Sequence, residues 1–478
     1  MKQAMNPYLP SYEYIPDAEP HIFNGRVYIY GSHDRFNGSS FCLNDYVTWS
    51  APVDDLSDWR YEGVIYRRNQ DPDYRPDDLH AMYAPDICQG ADGRYYLYYF
   101  LGYVGKISVA VCDTPCGKFR YLGQVHYPDG TVLGTRGEPL QFDPGVFVDD
   151  DGTTYLFTGF SPVHYPRFLL GGHHASKQGP MGFVLSKDML TIEKGPVYIG
   201  IPSRYNSKGT AYQGHEFFEA ASMRKFAGRY YFIYSSFEGH ELCYAVSNEP
   251  LTGFTYGGTL VSIGDVGLGG RTRKQAVNYL GNTHGSIIEI GGQYYVFYHR
   301  QTNRHQFSRQ ACAEKIQFVN GRFVQAEVTS CGVNPGPLAG QGIYSAHIAC
   351  NLTSRHGVRW YNVIKHPKAF YPYFTQHGKD REDDPDQYIA NFCNGASAAF
   401  KYFDLRNTHA LELTYRGEAN GIMEIRDQSD TLLGSLILKP GCAPFAARCE
   451  LRPGSEQTAL RFTYKGKGHF DLLNFELL

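Results

Sequence analysis

The hydrophobic positions of this chain lie in short runs of β-branched and aromatic residues, separated by Gly, Asp, Asn and Pro. Few segments repeat their hydrophobic residues with the 3.6-residue period of an amphipathic helix. Short apolar runs bounded by turn residues are instead typical of buried strands. The pattern therefore predicts an essentially all-β protein.

One strand pattern recurs five times, each time with a Gly three residues before a Tyr, as in NGRVYIYGS, DGRYYLYYF, DGTTYLFTG, AGRYYFIYS and GGQYYVFYH. A nearly continuous apolar run of this kind indicates a strand that is buried on both faces. Further strand-like runs give each unit about four strands, and such units bury both faces by packing around a common axis. We therefore predict a five-bladed β-propeller over residues 1–335.

Composition supports the all-β interpretation and excludes some classes of partner. The 478 residues include 39 Tyr and 30 Phe, which favour strands. The 45 Lys and Arg balance 48 Asp and Glu, with no basic half, which argues against nucleic-acid or membrane partners. No apolar stretch has the length of a signal peptide or a membrane span, and the 11 cysteines show no CxxC pair. We expect a cytoplasmic protein with reduced thiols.

The repeat also places candidate catalytic residues at equivalent positions. A polar residue lies seven to nine positions before each repeat glycine, and these residues are Asp17, Asp86, Asp143, Glu219 and His284. In a propeller the strand that enters this turn is the innermost one, so its first residues line the central funnel. Any one Asp in this position is equally well explained as a turn residue. A shared register in all five units favours a common site, where mutual repulsion and burial raise carboxylate pKa values.

The segments around these residues resemble glycoside hydrolase family 43, a family of five-bladed propellers, over about residues 6–335. The resemblance is carried by YAPD at 83–86, FDP at 142–144, FEAASMRK at 218–225, THGS at 283–286 and SRQ at 308–310. It implies that Asp17 is the general base, Glu219 the general acid and Asp143 the residue that modulates the acid. Ala18 follows Asp17 where Pro is usual, with Glu19 next, and this departure leaves Glu19 as a rival base.

The resemblance also implies the substrate contacts and a metal. The expected contacts with the sugar are Asp86, Tyr83, His284 and Arg309. His284 is also a candidate ligand, through water, of a structural Ca²⁺ on the propeller axis, although a hydrogen-bonded buried histidine explains it equally well. We expect no required cofactor.

A second domain follows a stretch rich in Pro and Gly, VNPGPLAGQG at 333–342. Strand-like runs at 400–404, 410–417 and 421–427 predict a β-sandwich over residues 343–478. This region is similar to carbohydrate-binding module family 6. Its sugar-contacting residues cannot be assigned from the sequence.

The family likeness implies an inverting glycoside hydrolase that acts on an oligosaccharide. Long polar segments at Arg67 to Leu79, His164 to Gln178 and Ser203 to Gln213 predict walls around the funnel, and therefore exo action. The expected product is a terminal pentose, α-L-arabinofuranose first. A β-xylosidase and a non-catalytic sugar-binding propeller are the alternatives. Sucrose and fructan enzymes and mannoside phosphorylases are weaker rivals, because their Trp-Met-Asn-Asp-Pro segment and phosphate-binding Arg/His cluster are missing here. The oligomeric state stays open.

Overall fold

The computed structural model describes residues 2–165, 170–361, 370–382 and 386–478. Strands dominate this part of the chain. Its short 3₁₀ helices lie at Arg68–Gln70, Leu268–Gly270, Arg273–Gln275 and Ala346–Ile348. None of its helices is long and apolar enough to cross a membrane.

The N-terminal two thirds of the chain form five four-stranded antiparallel sheets, here named A to E in chain order. Sheet A contains β1 (Glu19–Phe23), β2 (Arg26–Tyr30), β3 (Tyr46–Pro52) and β4 (Arg60–Tyr66). Sheet B contains β5 (Asp86–Gln89), β6 (Tyr95–Phe100), β7 (Ile107–Cys112) and β8 (Arg120–Gln124). Sheet C contains β9 (Gly145–Val148), β10 (Thr154–Thr158), β11 (Met181–Leu185) and β12 (Ile192–Tyr198).

The last two sheets have the same strand order. Sheet D contains β13 (Phe217–Phe226), β14 (Arg229–Ser236), β15 (Glu241–Ser247) and β16 (Thr255–Ser262). Sheet E contains β17 (Ile287–Ile290), β18 (Gln293–Thr302), β19 (His305–Val319) and β20 (Arg322–Val324). Each repeat glycine lies at the turn between the first and second strands of its sheet. In sheet A this turn needs positive φ at both Asn24 (51°) and Gly25 (74°), which only a few residue types tolerate.

The first strands of the sheets meet around a common axis. Strand β1 contacts both β5 and β17, and β9 contacts both β5 and β13. Ala18 and Gly285 pair in a parallel bridge, and the hydroxyl groups of Ser222 and Ser286 lie 2.8 Å apart. The first strand of each sheet is therefore the innermost one. The predicted all-β propeller is confirmed, and we interpret the five sheets as its blades.

The C-terminal region packs two six-stranded sheets, F and G, face to face. Sheet F contains β21 (Leu338–Ala339), β23 (Asn351–Thr353), β26 (Ser397–Asp404), β28 (Asn420–Arg426), β29 (Leu432–Leu438) and β31 (Thr458–Lys467). Sheet G contains β22 (Gly342–Ser345), β24 (Tyr373–Thr375), β25 (Tyr388–Cys393), β27 (Ala410–Gly417), β30 (Gly441–Glu450) and β32 (His469–Leu477). Buried aromatic and aliphatic side chains fill the space between them, among them Phe400, Phe462 and Phe475. Strand β21 lies inside the predicted linker and already pairs with β26.

Buried polar contacts fix the sandwich against the propeller. The guanidinium of Arg300 donates to the carbonyl oxygens of Ala349 and His347, at 2.9 and 2.6 Å. The ammonium of Lys401 pairs with Asp265 at 3.3 Å. Charged groups this deeply buried need their partners, so these contacts define one relative position of the two domains.

Candidate active site

A cavity of about 570 Å³ lies where the innermost strands meet, and residues from all five sheets or their connections line it. Its volume falls within the roughly 300–1,000 Å³ range of small-molecule sites. Eleven aromatic side chains line it: Phe41, Tyr83, Phe100, Tyr103, Phe142, Phe160, Tyr165, Phe218, Phe237, Phe307 and Trp360. The polar side chains that face it include Asp17, Asp143, Glu219, His284 and Arg309. An apolar wall with a few convergent charged groups is typical of a ligand or catalytic pocket.

The backbone turns the three carboxylates into this cavity. Asp17 and Asp143 each lie two residues before a first strand, β1 and β9, and have φ values of 60° and 46°. Ala220, next to Glu219, has a φ of 67°, and the pairing of β13 with β14 shifts register between Glu219 and Ser222. Left-handed backbone at a non-glycine residue is strained, and bulges re-aim side chains; both concentrate at functional sites.

Arg309 controls the charge of Asp17. Its Nη1 donates a hydrogen bond to Asp17 Oδ1 at 3.0 Å. Its Nε and Nη2 donate to the two carboxylate oxygens of Asp34, at 2.8 and 3.0 Å. Burial raises the pKa of Asp17, but Arg309, His299, His284 and a hydrogen bond from Ser32 together outweigh burial and hold that pKa below its usual value. Asp17 is therefore ionised at neutral pH, as a general base requires.

Glu219 has the opposite electrostatic environment. It is partly exposed to the cavity, and the ring of the preceding Phe218 contacts Phe160 and Phe237 at centroid distances of 5.2 and 5.8 Å. Burial, aided by the negative charge of Asp17, raises the pKa of Glu219 to about 7. A large fraction of this carboxyl group is therefore protonated near neutral pH, as a general acid requires.

Asp143 is a second carboxyl group with a raised pKa. Burial is the largest cause, and the charges of Glu219 and Asp17 add to it, so its pKa lies well above the usual value. The two raised groups lie beside one ionised carboxylate, a separation of roles that acid–base catalysis uses. The sequence prediction ascribed the protonation of Glu219 to Asp143; the leading cause is burial among aromatic rings.

His284 supplies a positive charge among the carboxylates. Its Nδ1 lies 3.6 Å from Asp143 and 3.9 Å from Asp17, and its Nε2 lies 3.8 Å from Glu19. Burial alone would lower the pKa of His284, but the neighbouring Glu19, Asp143 and Asp17 raise it to about 9. The imidazole is therefore protonated at neutral pH.

The Ca²⁺ predicted near His284 stays a prediction. Asp17 and Glu19 are the ionised carboxylates beside His284. Asp17 pairs with Arg309 and Glu19 pairs with Arg224, and protonated His284 is a third positive charge next to them. Of the clusters with metal-ligand geometry in the described part of the chain, His215–Glu241–Cys243 and Glu19–His21–Asp86, neither contains His284.

The rival base, Glu19, faces away from the cavity. Its Oε2 accepts hydrogen bonds from Arg224 Nη2 at 2.5 Å and from Ser222 Oγ at 3.0 Å. Glu19 does not line the cavity, whereas Asp17 does. The geometry therefore favours Asp17 as the base.

Asp86 is a correction to the sequence-based prediction. It does not line the cavity, and its carboxylate is fully engaged within the protein. Its Oδ1 lies 2.7 Å from His21 Nε2, and its Oδ2 accepts the backbone N–H of Val146 at 2.8 Å. Asp86 therefore ties sheets A, B and C together instead of contacting a sugar.

The predicted walls are also corrected. Neither Arg67–Leu79 nor Ser203–Gln213 lines the cavity. In the first segment, Asp73 pairs with Lys106 at 2.9 Å. Of His164–Gln178, Tyr165 and Leu170 line the cavity, and residues 166–169 lie outside the described residues.

Sequence reasoning missed two features of the site. Asp34, in the connection between β2 and β3, holds Arg309 with both carboxylate oxygens and is fully buried. The remaining wall comes from Phe41, Phe307 and, unexpectedly, Trp360 of the C-terminal domain. No local pattern marks these residues, because their roles depend on contacts between distant parts of the chain.

An ionised and a protonated carboxyl group that face an aromatic pocket on a β-propeller are typical of a carbohydrate-cleaving enzyme. The profile described as glycosyl hydrolases family 43 matches residues 16–323. The chain belongs to glycoside hydrolase family 43. A protein of Thermoclostridium stercorarium named xylosidase/arabinosidase is 49% identical over 100% of this chain and 99% of its own length. Xylosidase/arabinosidase 43A of Humicola insolens is 32% identical over 60% of this chain and 88% of its own length.

Solved structures agree with the fold. A family 43 enzyme of Xanthomonas citri, solved in complex with xylose, superposes with a TM-score of 0.53 at 26% identity, over 70% of this chain and 96% of that chain. An arabinoxylan arabinofuranohydrolase of Bacillus subtilis superposes with a TM-score of 0.51 at 20% identity, over 99% of this chain and 97% of that chain. The second likeness covers both domains and supports the architecture alone.

The two pKa shifts predict the pH dependence of kcat/KM. Activity needs Glu219 protonated and Asp17 ionised, so it should fall tenfold per pH unit above about pH 7 and persist well below pH 5. The charges of ionised Asp143 and ionised Glu219 repel each other, which raises the pKa of Asp143 and, by the same coupling, opposes the ionisation of Glu219. Asp143→Asn removes the charge that Asp143 acquires as it ionises, so Glu219 should lose its proton more easily and the alkaline limb should move to lower pH. An alkaline limb that does not move would exclude Asp143 from this role.

Proposed function

We propose that the protein is an exo-acting, inverting pentosidase that releases single terminal α-L-arabinofuranose residues from oligosaccharides. The observation that carries the proposal is the aromatic pocket of about 570 Å³ with Asp17, Glu219 and Asp143 on its surface. A pocket of this size holds one or two sugar residues, which suits the end of a chain or a side group. The names of relatives such as xylosidase/arabinosidase agree with a pentose substrate.

The proposed reaction uses the two catalytic carboxyl groups once each. Asp17 removes a proton from a water molecule, which attacks the anomeric carbon from one face of the ring. Glu219 donates its proton to the glycosidic oxygen on the opposite face, so the leaving sugar departs as a neutral alcohol. The proton that Asp17 gains and the proton that Glu219 loses are then exchanged with solvent, which restores the starting state.

The other charged groups of the pocket hold this arrangement. Arg309 keeps Asp17 ionised and is itself positioned by Asp34. Protonated His284 lies within 3.9 Å of Asp17 and within 3.6 Å of Asp143, where it can also donate to a sugar hydroxyl group. An oxocarbenium-like transition state carries positive charge, and the ionised Asp17 stabilises it.

β-D-Xylose is the second candidate substrate, because names that combine both activities recur among the relatives. The test is kcat/KM on matched 4-nitrophenyl α-L-arabinofuranoside and β-D-xyloside, together with the product pattern on linear arabinan and xylo-oligosaccharides. We expect monosaccharide as the only early product. Early release of internal oligomers would contradict exo action, and a clear preference for the xyloside would make the second candidate the main activity.

A further inference from the structure

Trp360 brings the C-terminal domain into the pocket. Among the described residues that line the cavity, it is the one that belongs to the C-terminal domain. Its side chain is half-buried, next to cavity-lining Gly239. A tryptophan in this position presents part of a large apolar ring to whatever occupies the cavity.

The backbone on both sides of Trp360 is fixed to the propeller. Leu280 N donates to the carbonyl oxygen of Arg359 at 3.1 Å, and Tyr361 N donates back to the carbonyl oxygen of Leu280 at 2.5 Å. Tyr361 also stacks on Tyr279, with ring centroids 4.7 Å apart and planes 11° apart. The segment therefore forms a short parallel bridge with the chain that leads into Asn282 and His284.

The indole ring itself is held by two further contacts. The Arg273 guanidinium lies 5.1 Å from the ring centroid and pairs with Glu238. The ring edge packs against Gly239, where an added Cβ would lie 2.9 Å from Trp360 Cη2. The ring thus has a defined position before any ligand binds, which reduces the entropy cost of binding.

The ring lies on the side of the general acid. Gly239 and Phe237 belong to the turn between β14 and β15, and Glu219 lies on β13 of the same sheet. Phe237 contacts Phe218, the neighbour of Glu219, at a centroid distance of 5.8 Å. Because Glu219 protonates the glycosidic oxygen, the sugar that leaves must lie beside Glu219, on the side where Trp360 forms the wall.

We propose that Trp360 forms the binding site for the leaving-group sugar, a neutral pentopyranose or pentofuranose residue whose C–H face packs on the indole ring. The inference rests on the proposed function, because it takes Glu219 as the acid. The C-terminal domain then serves as part of the substrate pocket, and its contribution distinguishes oligosaccharides from substrates without a second sugar.

The test compares a substrate that has a leaving-group sugar with one that does not. In Trp360→Ala we expect kcat/KM on xylobiose or an arabinosylated xylobiose to fall at least tenfold, while kcat/KM on the matching pentosyl fluoride falls less than threefold. Trp360→Phe should recover most of the loss, because it keeps an aromatic face. Phe370→Ala, an exposed aromatic residue of the same domain that is 52% exposed and does not line the cavity, is the matched control.

Equal losses on both substrates, or no loss on either, would overturn the assignment of Trp360. Calorimetry provides a readout that needs no turnover: in the Glu219→Gln background, Trp360→Ala should weaken xylobiose binding at least tenfold and xylose binding less than twofold. An unchanged ratio of the two affinities would contradict the proposal. If the wild-type protein cleaves neither substrate, the proposed function fails, and the binding ratio still decides the role of Trp360.

Discussion

Glu219→Gln should lower kcat/KM on an unactivated oligosaccharide by about 10²–10⁴-fold, the usual contribution of a general acid. The amide keeps the size of the side chain but has no proton to give to the glycosidic oxygen. A 2,4-dinitrophenyl glycoside needs no such proton, so we expect its turnover to fall by less than about tenfold. The alkaline limb near pH 7 should also disappear, because the group that titrates there is gone.

Glu216→Gln is the matched control for this variant. Glu216 lies three residues before Glu219 and binds Ser207 at 2.9 Å, but it does not line the cavity. Both variants should fold, as judged by their melting temperatures. A Glu219→Gln enzyme with equal losses on activated and unactivated substrates would exclude Glu219 as the acid.

Asp17→Asn should cause a loss of similar size that does not depend on the leaving group. The base activates water, and this step is needed whether or not the departing oxygen requires a proton. We therefore expect about 10²–10⁴-fold lower kcat/KM on the dinitrophenyl glycoside and on the oligosaccharide alike. Steady-state kinetics on both substrates at one pH distinguish this pattern from that of Glu219→Gln.

Glu19→Gln separates the two candidate bases. Glu19 is bound by Arg224 and Ser222 and lies outside the cavity, so its loss should act only indirectly, through His284, and cost far less than Asp17→Asn. An inactive Glu19→Gln together with an active Asp17→Asn would reverse the assignment of the base.

Much of the fold was predictable because its signal is local and repeated. The Gly-to-Tyr spacing fixes a hairpin in each unit, and the shared register of the polar residues follows from that hairpin. Asp17, Asp143, Glu219 and His284 do converge on one cavity. The strand predicted at 410–417 coincides with β27.

The predictions that failed depend on features that the spacing within the repeat does not determine. Asp86 lies seven positions before its repeat glycine and Asp143 nine. Asp86 is therefore already the first residue of β5, and it lacks the left-handed φ that turns Asp17 and Asp143 into the cavity. The length of a connection does not show which way it folds, so the prediction that Arg67–Leu79 and Ser203–Gln213 form walls of the cavity was wrong. Trp360 reaches the pocket only because the second domain docks on Leu280, a contact across 80 positions of the chain.

The stereochemistry of hydrolysis tests the central claim most directly. Asp17 and Glu219 lie at the starts of sheets A and D, and we assign them to opposite faces of the sugar ring, so each cleavage should invert the anomeric centre. Proton NMR during the first minutes of hydrolysis should show β-L-arabinofuranose from an α-L-arabinofuranoside, or α-D-xylose from a β-D-xyloside, before mutarotation. Initial release of the sugar with its configuration retained would contradict the assignment of Asp17 as a base that activates water.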